Sequence, residues 1–333
     1  MMFIYEAGAT GPETSRIQQR LIDLGQLAGS ATGTFDDRTT AAVRKFQAAA
    51  GLRADGRMGD GTWQRLFDEA HAPCPGLVGV DLLHRCLAIT GVFETSMPPP
   101  DCYSGVTGNF DGMSISFGVL QQNIGSKSLQ LLLRRVIQEQ PELIGRIFGP
   151  TDGDAMIEIM HLDERTDAGF ERQEAWARSL NDANNRIIES WRQHFRSLGG
   201  TPEYIAIQRD AAQNVFDRAL DACREFGLSS ERAVGVLFDI MTQNGGIPVD
   251  CAREINSRIT GLPVTPAGGP HEVAVLEVIA DERAKFSRPQ FQDDVRSRKL
   301  SLAHGEGTVH GNFFDLEDQY GIGLGTAAAL AVS

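Results

Sequence analysis

The sequence predicts a mainly α-helical protein of two domains: a three-helix module at the amino end, then a larger, mostly helical domain carrying one small β-hairpin. Three observations predict it. Residues 33–46, GTFDDRTTAAVRKF, reappear in degenerate form at 56–67 as GRMGDGTWQRLF. From residue 80 onward the chain runs through amphipathic stretches of helical period, and the segment 97–123 breaks that period with prolines, glycine turns and a short alternation.

Each copy of the repeat sets a Gly (Gly33, Gly56) before an apolar residue (Phe35, Met58), an Asp at a helix start (Asp37, Asp60) and a Thr (Thr39, Thr62). Gly permits a turn with positive φ, an Asp or Thr side chain can accept the free N–H groups of a first helical turn, and the following AAVRKF or WQRLF supplies a buried stripe. A preceding helix is expected over Ser15–Leu24, with Ile17, Leu21, Ile22 and Leu24 on roughly one face. Phe35, Phe46, Met58 and Trp63 are the expected core of this unit.

At 333 residues the chain exceeds one average domain, and a module of this size leaves enough for a second unit with a core of its own. The expected boundaries are 1–70 for the module, 71–79 (HAPCPGLVG) for a short linker and 80–333 for the larger domain. No run approaches the roughly 18 apolar residues that cross a bilayer, so no membrane insertion is expected. A formal charge of −13 argues against a nucleic-acid ligand, which needs clustered Lys and Arg. The opening MMFIYEAGATGPE has no Lys or Arg and little apolar length, so synthesis in the cytoplasm without a signal peptide is expected. Five scattered cysteines suit reduced thiols, and the seven histidines show no metal-ligand spacing; His161 in HLDE is expected on a helix surface.

In the larger domain helices are expected near 80–93, 127–139, 154–165, 170–198, 202–226, 230–244, 250–260, 270–286 and 289–303. The alternation Met113-Ser114-Ile115-Ser116-Phe117 is the expected hairpin. Glu94 ends the first of these helices beside Val92, Phe93 and Met97, where apolar neighbours disfavour a charged carboxyl and suit it to act as a general acid. Asp111, in GNFDG, stands on a Gly-flanked turn where a carboxylate stays wet and ionised. Two carboxyls in contrasting environments are what glycosidic cleavage needs: one protonates the leaving oxygen, and the other activates water or stabilises positive charge on the sugar. Ser116 offers a hydroxyl to orient that water.

The stretch RIQQRLIDLG … GTFDDRTTAAVRKFQAAAGLRADGRMGDGTWQRL closely resembles the peptidoglycan-binding module of bacterial and phage wall hydrolases, over residues 12–69. That resemblance implies non-catalytic attachment to peptidoglycan through a shallow groove between helices. A mainly helical domain with one small sheet after its first helix resembles the lysozyme superfamily, so the expected fold is a lysozyme-like α+β domain. The trio Glu94, Asp111, Ser116 is similar to the arrangement in chitosanases and phage-type lysozymes, where the third position is usually Thr; Ser keeps the hydroxyl and loses the methyl that fixes its rotamer. SFGVLQQN resembles the strand and Gln lining the sugar cleft of goose-type lysozymes and lytic transglycosylases, which implies substrate contacts from Gln121 and the nearby Asn123. VLFDIMTQNGGI at 236–247 and the segment 281–311 resemble the carboxy-terminal half of phage endolysins. There Gln243 and Asn244 are candidates to bind sugar or N-acetyl groups, or else form a helix C-cap. Arg283, Arg296 and Arg298 either meet wall carboxylates or pair with the nearby Asp281, Glu282, Asp293 and Asp294.

The expected function is therefore an endolysin-type muramidase cutting the β-1,4 bond between N-acetylmuramic acid (MurNAc) and N-acetylglucosamine (GlcNAc). Peptidoglycan is the partner, and no cofactor is needed, because proton transfer and charge stabilisation suffice. Delivery to the wall would fall to a holin-type lesion, a phage particle or an injection apparatus. A lytic transglycosylase using Glu94 alone to form a 1,6-anhydro sugar is the nearest alternative. Chitosanase activity and a non-catalytic wall-binding component are the others.

Overall fold

The computed structural model describes residues 2–77, 79–263 and 270–331. They gather into two compact units, Met1–Cys86 with Arg218–Ser333, and Leu87–Asp217.

The first unit opens with α1 (Pro12–Asp23), α2 (Asp37–Ala49) and α3 (Asp60–Phe67). Ile17, Leu21, Phe35, Val43, Met58 and Trp63 are buried there, while Ile22 and Phe46 are half-buried. Leu24, expected on the buried face, is exposed because it already lies beyond the last helical turn as the C-cap.

The repeat has a physical cause that its spacing does not reveal. Gln18 on α1, fully inside, accepts the N–H groups of Thr32 and Gly33 and donates to Thr34 O and Thr39 Oγ1. Gln47 on α2 does the same one unit on, accepting from Gly56 N and donating to Arg57 O and Thr62 Oγ1. Each Gly turn, with φ of 73° at Gly33 and 80° at Gly56, and each Thr at a helix start is thus satisfied by one buried amide from the preceding helix. The helix starts differ from expectation. Asp36, not Asp37, caps α2 by accepting from Thr39 N, and Gly59 stands at the start of α3 with no side chain to do so. Asp60 instead accepts from Ala72 N and pairs with His71.

Segment 71–79 is held down where described: Tyr5 Oη donates to Pro73 O, Cys74 N to Gln319 O and Leu77 N to Glu13 Oε1. The rest of this unit follows in α10 (Glu231–Asn244), α11 (Val249–Ile259), α12 (Pro270–Lys285), α13 (Gln292–His304), the hairpin β4 (Glu306–Val309) and β5 (Asn312–Asp315), and α14 (Leu316–Tyr320). That hairpin was not expected. It turns at His310-Gly311, both with positive φ, the conformation of a tight two-residue loop.

The chain enters the second unit along α4 (Leu82–Thr95) and leaves it along α9 (Pro202–Glu225). Between them lie β1 (Val106–Thr107), β2 (Ser116–Phe117), β3 (Gln122–Asn123), α5 (Leu129–Glu139), α6 (Pro141–Met160), α7 (Asp167–Ser179) and α8 (Glu189–Gly199). The three short strands form an antiparallel sheet in the order β1-β2-β3. The expected single helix over 170–198 is two, α7 and α8. The run NDANN between them folds as a turn in which Asp182 accepts the N–H groups of Asn184 and Arg186, and Asn185 takes positive φ. The helix expected near 154–165 begins at Pro141, ends at Met160 and is kinked at Gly149-Pro150. Phe117 anchors the sheet to the core, stacked on Tyr204 at 5.2 Å and edge-on to Phe195 at 5.0 Å.

Candidate functional site

Glu94 is the penultimate residue of α4 and is half-buried, beside buried Val92 and Phe93. Two glycines fix where this helix end lies. A Cβ on Gly91 would meet Val119 Cγ2 at 2.7 Å, and one on Gly105 would meet Thr95 Cγ2 at 2.6 Å, so the backbone comes closer than any larger residue allows. Thr95 Oγ1 donates back to Gly91 O at 2.6 Å and accepts from Met97 N, closing the helix just past Glu94. The end of α4 is therefore seated against the strand that begins at Val106.

β1 pairs with β2 through Thr107↔Ser116, and β2 with β3 through Ser116↔Asn123, which places Ser116 on the central strand. The β1–β2 connection carries Asp111. The alternation 113–117 does not run as one strand: only 116–117 does, and Ser114 and Ser116 are as buried as Ile115 and Phe117. Ser114 has a φ of 71°, a conformation costing on the order of 1 kcal/mol or more for a residue with a Cβ. It is held there by Ser114 N donating to Asn109 Oδ1 and Asn181 Nδ2 donating to Ser114 O. Asn109 N donates in turn to Asn181 Oδ1. Asp111 at the tip is exposed, and its Oδ1 accepts from Met113 N at 3.0 Å.

Glu94, Asp111 and Ser116 thus belong to one unit and one connected frame, from helix end to Gly105 to β1 and β2. Within that frame one carboxyl, Glu94, is half-buried and the other, Asp111, is exposed.

The expected sugar-binding residues fare differently. Gln121 spends its amide on the frame: Nε2 donates to Gly105 O and Gly118 O, and Oε1 accepts from Thr107. Asn123 Oδ1 accepts from Ser126 N within a turn. Gln243 and Asn244 lie in the other compact unit, in the last turn of α10, with Gly245 as the left-handed cap. Gln243 Oε1 accepts from Lys299 Nζ at 2.6 Å. Asn244 Oδ1 is a buried acceptor with no partner among the described residues, on the wall of an open pocket of about 640 Å³ shared with Arg283, Arg288 and Phe291.

Of the three arginines, Arg296 pairs with Asp281, as the local account expects. The other two do not. Arg283 is buried and donates to the carbonyls of Gly246 and Asn244, while Arg298 and Lys299 grip Asp239, all three inside the unit. Burial alone would raise the Asp239 carboxyl, but the two cations outweigh it and hold it below the usual carboxylate range.

Sequence reasoning missed two further supports. Asn181 pins the Asp111 loop, and buried Gln208 accepts from Val119 N and donates to Tyr103 O, behind Gly118 where a Cβ would collide with its Oε1. Both act across long sequence separations, and no local pattern marks them.

Residues 10–66 match the family model described as a putative peptidoglycan binding domain. A comparison with curated proteins gives no match. Among solved structures, the chain is similar to a GH46 chitosanase of Gynuella sunshinyii in complex with chitotetraose, at 16% identity and a TM-score of 0.47, covering 71% of this chain and 97% of that one. It is also similar to a second chitosanase complex, at 17% identity and a TM-score of 0.47, covering 69% and 94%.

Proposed function

We propose that this chain is a peptidoglycan-cleaving glycosidase, a muramidase acting on the β-1,4 bond between MurNAc and GlcNAc. The observation that carries the reading is the pairing, in one chain, of a peptidoglycan-binding match at 10–66 with a half-buried Glu94 and an exposed Asp111 built on one frame. Glu94 is the acid: it gives its proton to the glycosidic oxygen as the bond to the anomeric carbon lengthens. Asp111, exposed at the loop tip, either deprotonates the attacking water or stabilises the oxocarbenium-like charge, and Ser116 orients that water. The small module keeps the insoluble polymer near the cleaving residues without tightening their own grip, which spares product release.

Clearing of purified peptidoglycan by wild type, Glu94→Gln and Asp111→Asn tests the roles. Loss in both variants supports two-carboxyl hydrolysis. Loss in Glu94→Gln alone, with an anhydro-sugar product, favours a lytic transglycosylase. A wild type that binds the wall without clearing it removes the enzymatic reading and leaves a wall-binding component.

A further inference from the structure

The β1–β2 connection is rigid at its base and bare at its tip. Its base is locked by the Asn109–Asn181–Ser114 hydrogen bonds and by Gly108, whose missing Cβ leaves room for Asn181 and the backbone of Asn185. Its tip presents Phe110, 67% exposed, and Met113, 40% exposed, on either side of Asp111 and Gly112. The loop that carries a candidate reacting carboxylate therefore also presents two large apolar side chains to solvent. Met113 is backed by Gly125, where a Cβ would stand 2.8 Å from its sulfur, so its position is set by the fold.

The charge of the loop indicates what these side chains meet. From Cys102 to Asn123 the sequence holds no Lys or Arg, and Asp111 is its one carboxylate. A glycan of free aminosugars brings an ammonium on every ring, and this loop offers no second carboxylate to receive it. An N-acetylated glycan brings instead uncharged acetamido groups, each with a methyl. These methyls suit an aromatic ring and a thioether.

We propose that Phe110 and Met113 are specificity-determining contacts for N-acetylated aminosugars, seating the acyl methyl next to the bond that Asp111 serves. The assignment rests on the glycosidase reading above and extends it to two residues with no acid–base chemistry.

The test uses the full chain and two polymers, soluble uncrosslinked glycan strands and the same strands chemically N-deacetylated. Wild type is expected to favour the N-acetylated strands by about tenfold or more in kcat/KM. Phe110→Ala combined with Met113→Ala is expected to lower kcat/KM on them about tenfold, mainly through KM, with the melting temperature unchanged and the N-deacetylated rate within about twofold. Phe110→Trp should retain the preference. An equal loss on both polymers, or no loss on either, overturns the assignment. A parallel binding measurement in the Glu94→Gln background separates the two ideas. If wild type cuts neither polymer, the glycosidase reading falls, and the contact stands only if the double variant still weakens binding of N-acetylated strands about tenfold relative to the Glu94→Gln parent.

Discussion

The three-helix module and the 94–123 segment are built from the same materials, glycine turns and short polar side chains, but direct them oppositely. In the module the polar groups turn inward: Gln18 and Gln47 are buried, and each satisfies a Gly turn and the Thr that follows it. In the loop the amides of Asn109 and Asn181 hold the base, and the tip holds Phe110, Asp111 and Met113 out to solvent. The first pattern makes a small scaffold rigid, and the second exposes a carboxyl and apolar groups on a fixed support. Stability and activity should therefore respond separately to mutations in the two places.

The sharpest way to break that comparison is at Glu94. Glu94→Gln should reduce peptidoglycan cleavage by about 100-fold to 10,000-fold while the melting temperature and wall binding stay near wild type; a large fall in melting temperature instead would make Glu94 a structural residue. Next in size is the extreme case of inward polarity, Asp239. Asp239→Asn removes the buried carboxylate that Arg298 and Lys299 grip, and should cost about 3–5 kcal/mol in denaturant unfolding. The same carboxyl sets a pH dependence. Its folded pKa lies below its unfolded value, so its contribution is present above the ordinary Asp range and is lost as pH falls through the depressed folded value. Wild type should therefore lose stability on acidification below about pH 4, and Asp239→Asn should lose less.

Within the module, Gln18→Ala and Gln47→Ala should each cost about 1–3 kcal/mol, because backbone donors at the Gly turns lose their buried acceptor. Cleavage of soluble strands should be little affected by either. The smallest effect contrasts the two copies of the repeat. Asp36 caps α2 but Gly59 leaves α3 uncapped, with extended backbone and room for a side chain. Gly59→Asp should add a few tenths of a kcal/mol, read as a small rise in melting temperature.

Which features were legible follows from how far apart their partners lie. The Gly turns and their Thr residues were visible because the repeat shows them twice, whereas Gln18 and Gln47 were not, since they reach their turns from different distances along the chain. Asp36 and Asp37 are adjacent, and only geometry selects the cap. Glu94 at a helix end and Asp111 on a Gly-flanked turn were legible as local patterns, and the structure places them on those elements. Burial of Ser114 was not, because alternation implies a straight strand and the chain takes a left-handed turn instead. Arg298 was expected to meet wall carboxylates or to pair with an acid nearby in the sequence, yet it grips Asp239 on another helix. The hairpin 306–315 was hidden behind the basic helix before it, although His310-Gly311 is a serviceable turn signal.

Mass spectrometry of the fragments released from purified peptidoglycan tests the central claim most directly. Wild type should release fragments ending in a reducing MurNAc, and Glu94→Gln should release almost none. Equal release by the two proteins, or no soluble fragments from wild type, would contradict the claim that this chain cuts the wall glycan with Glu94.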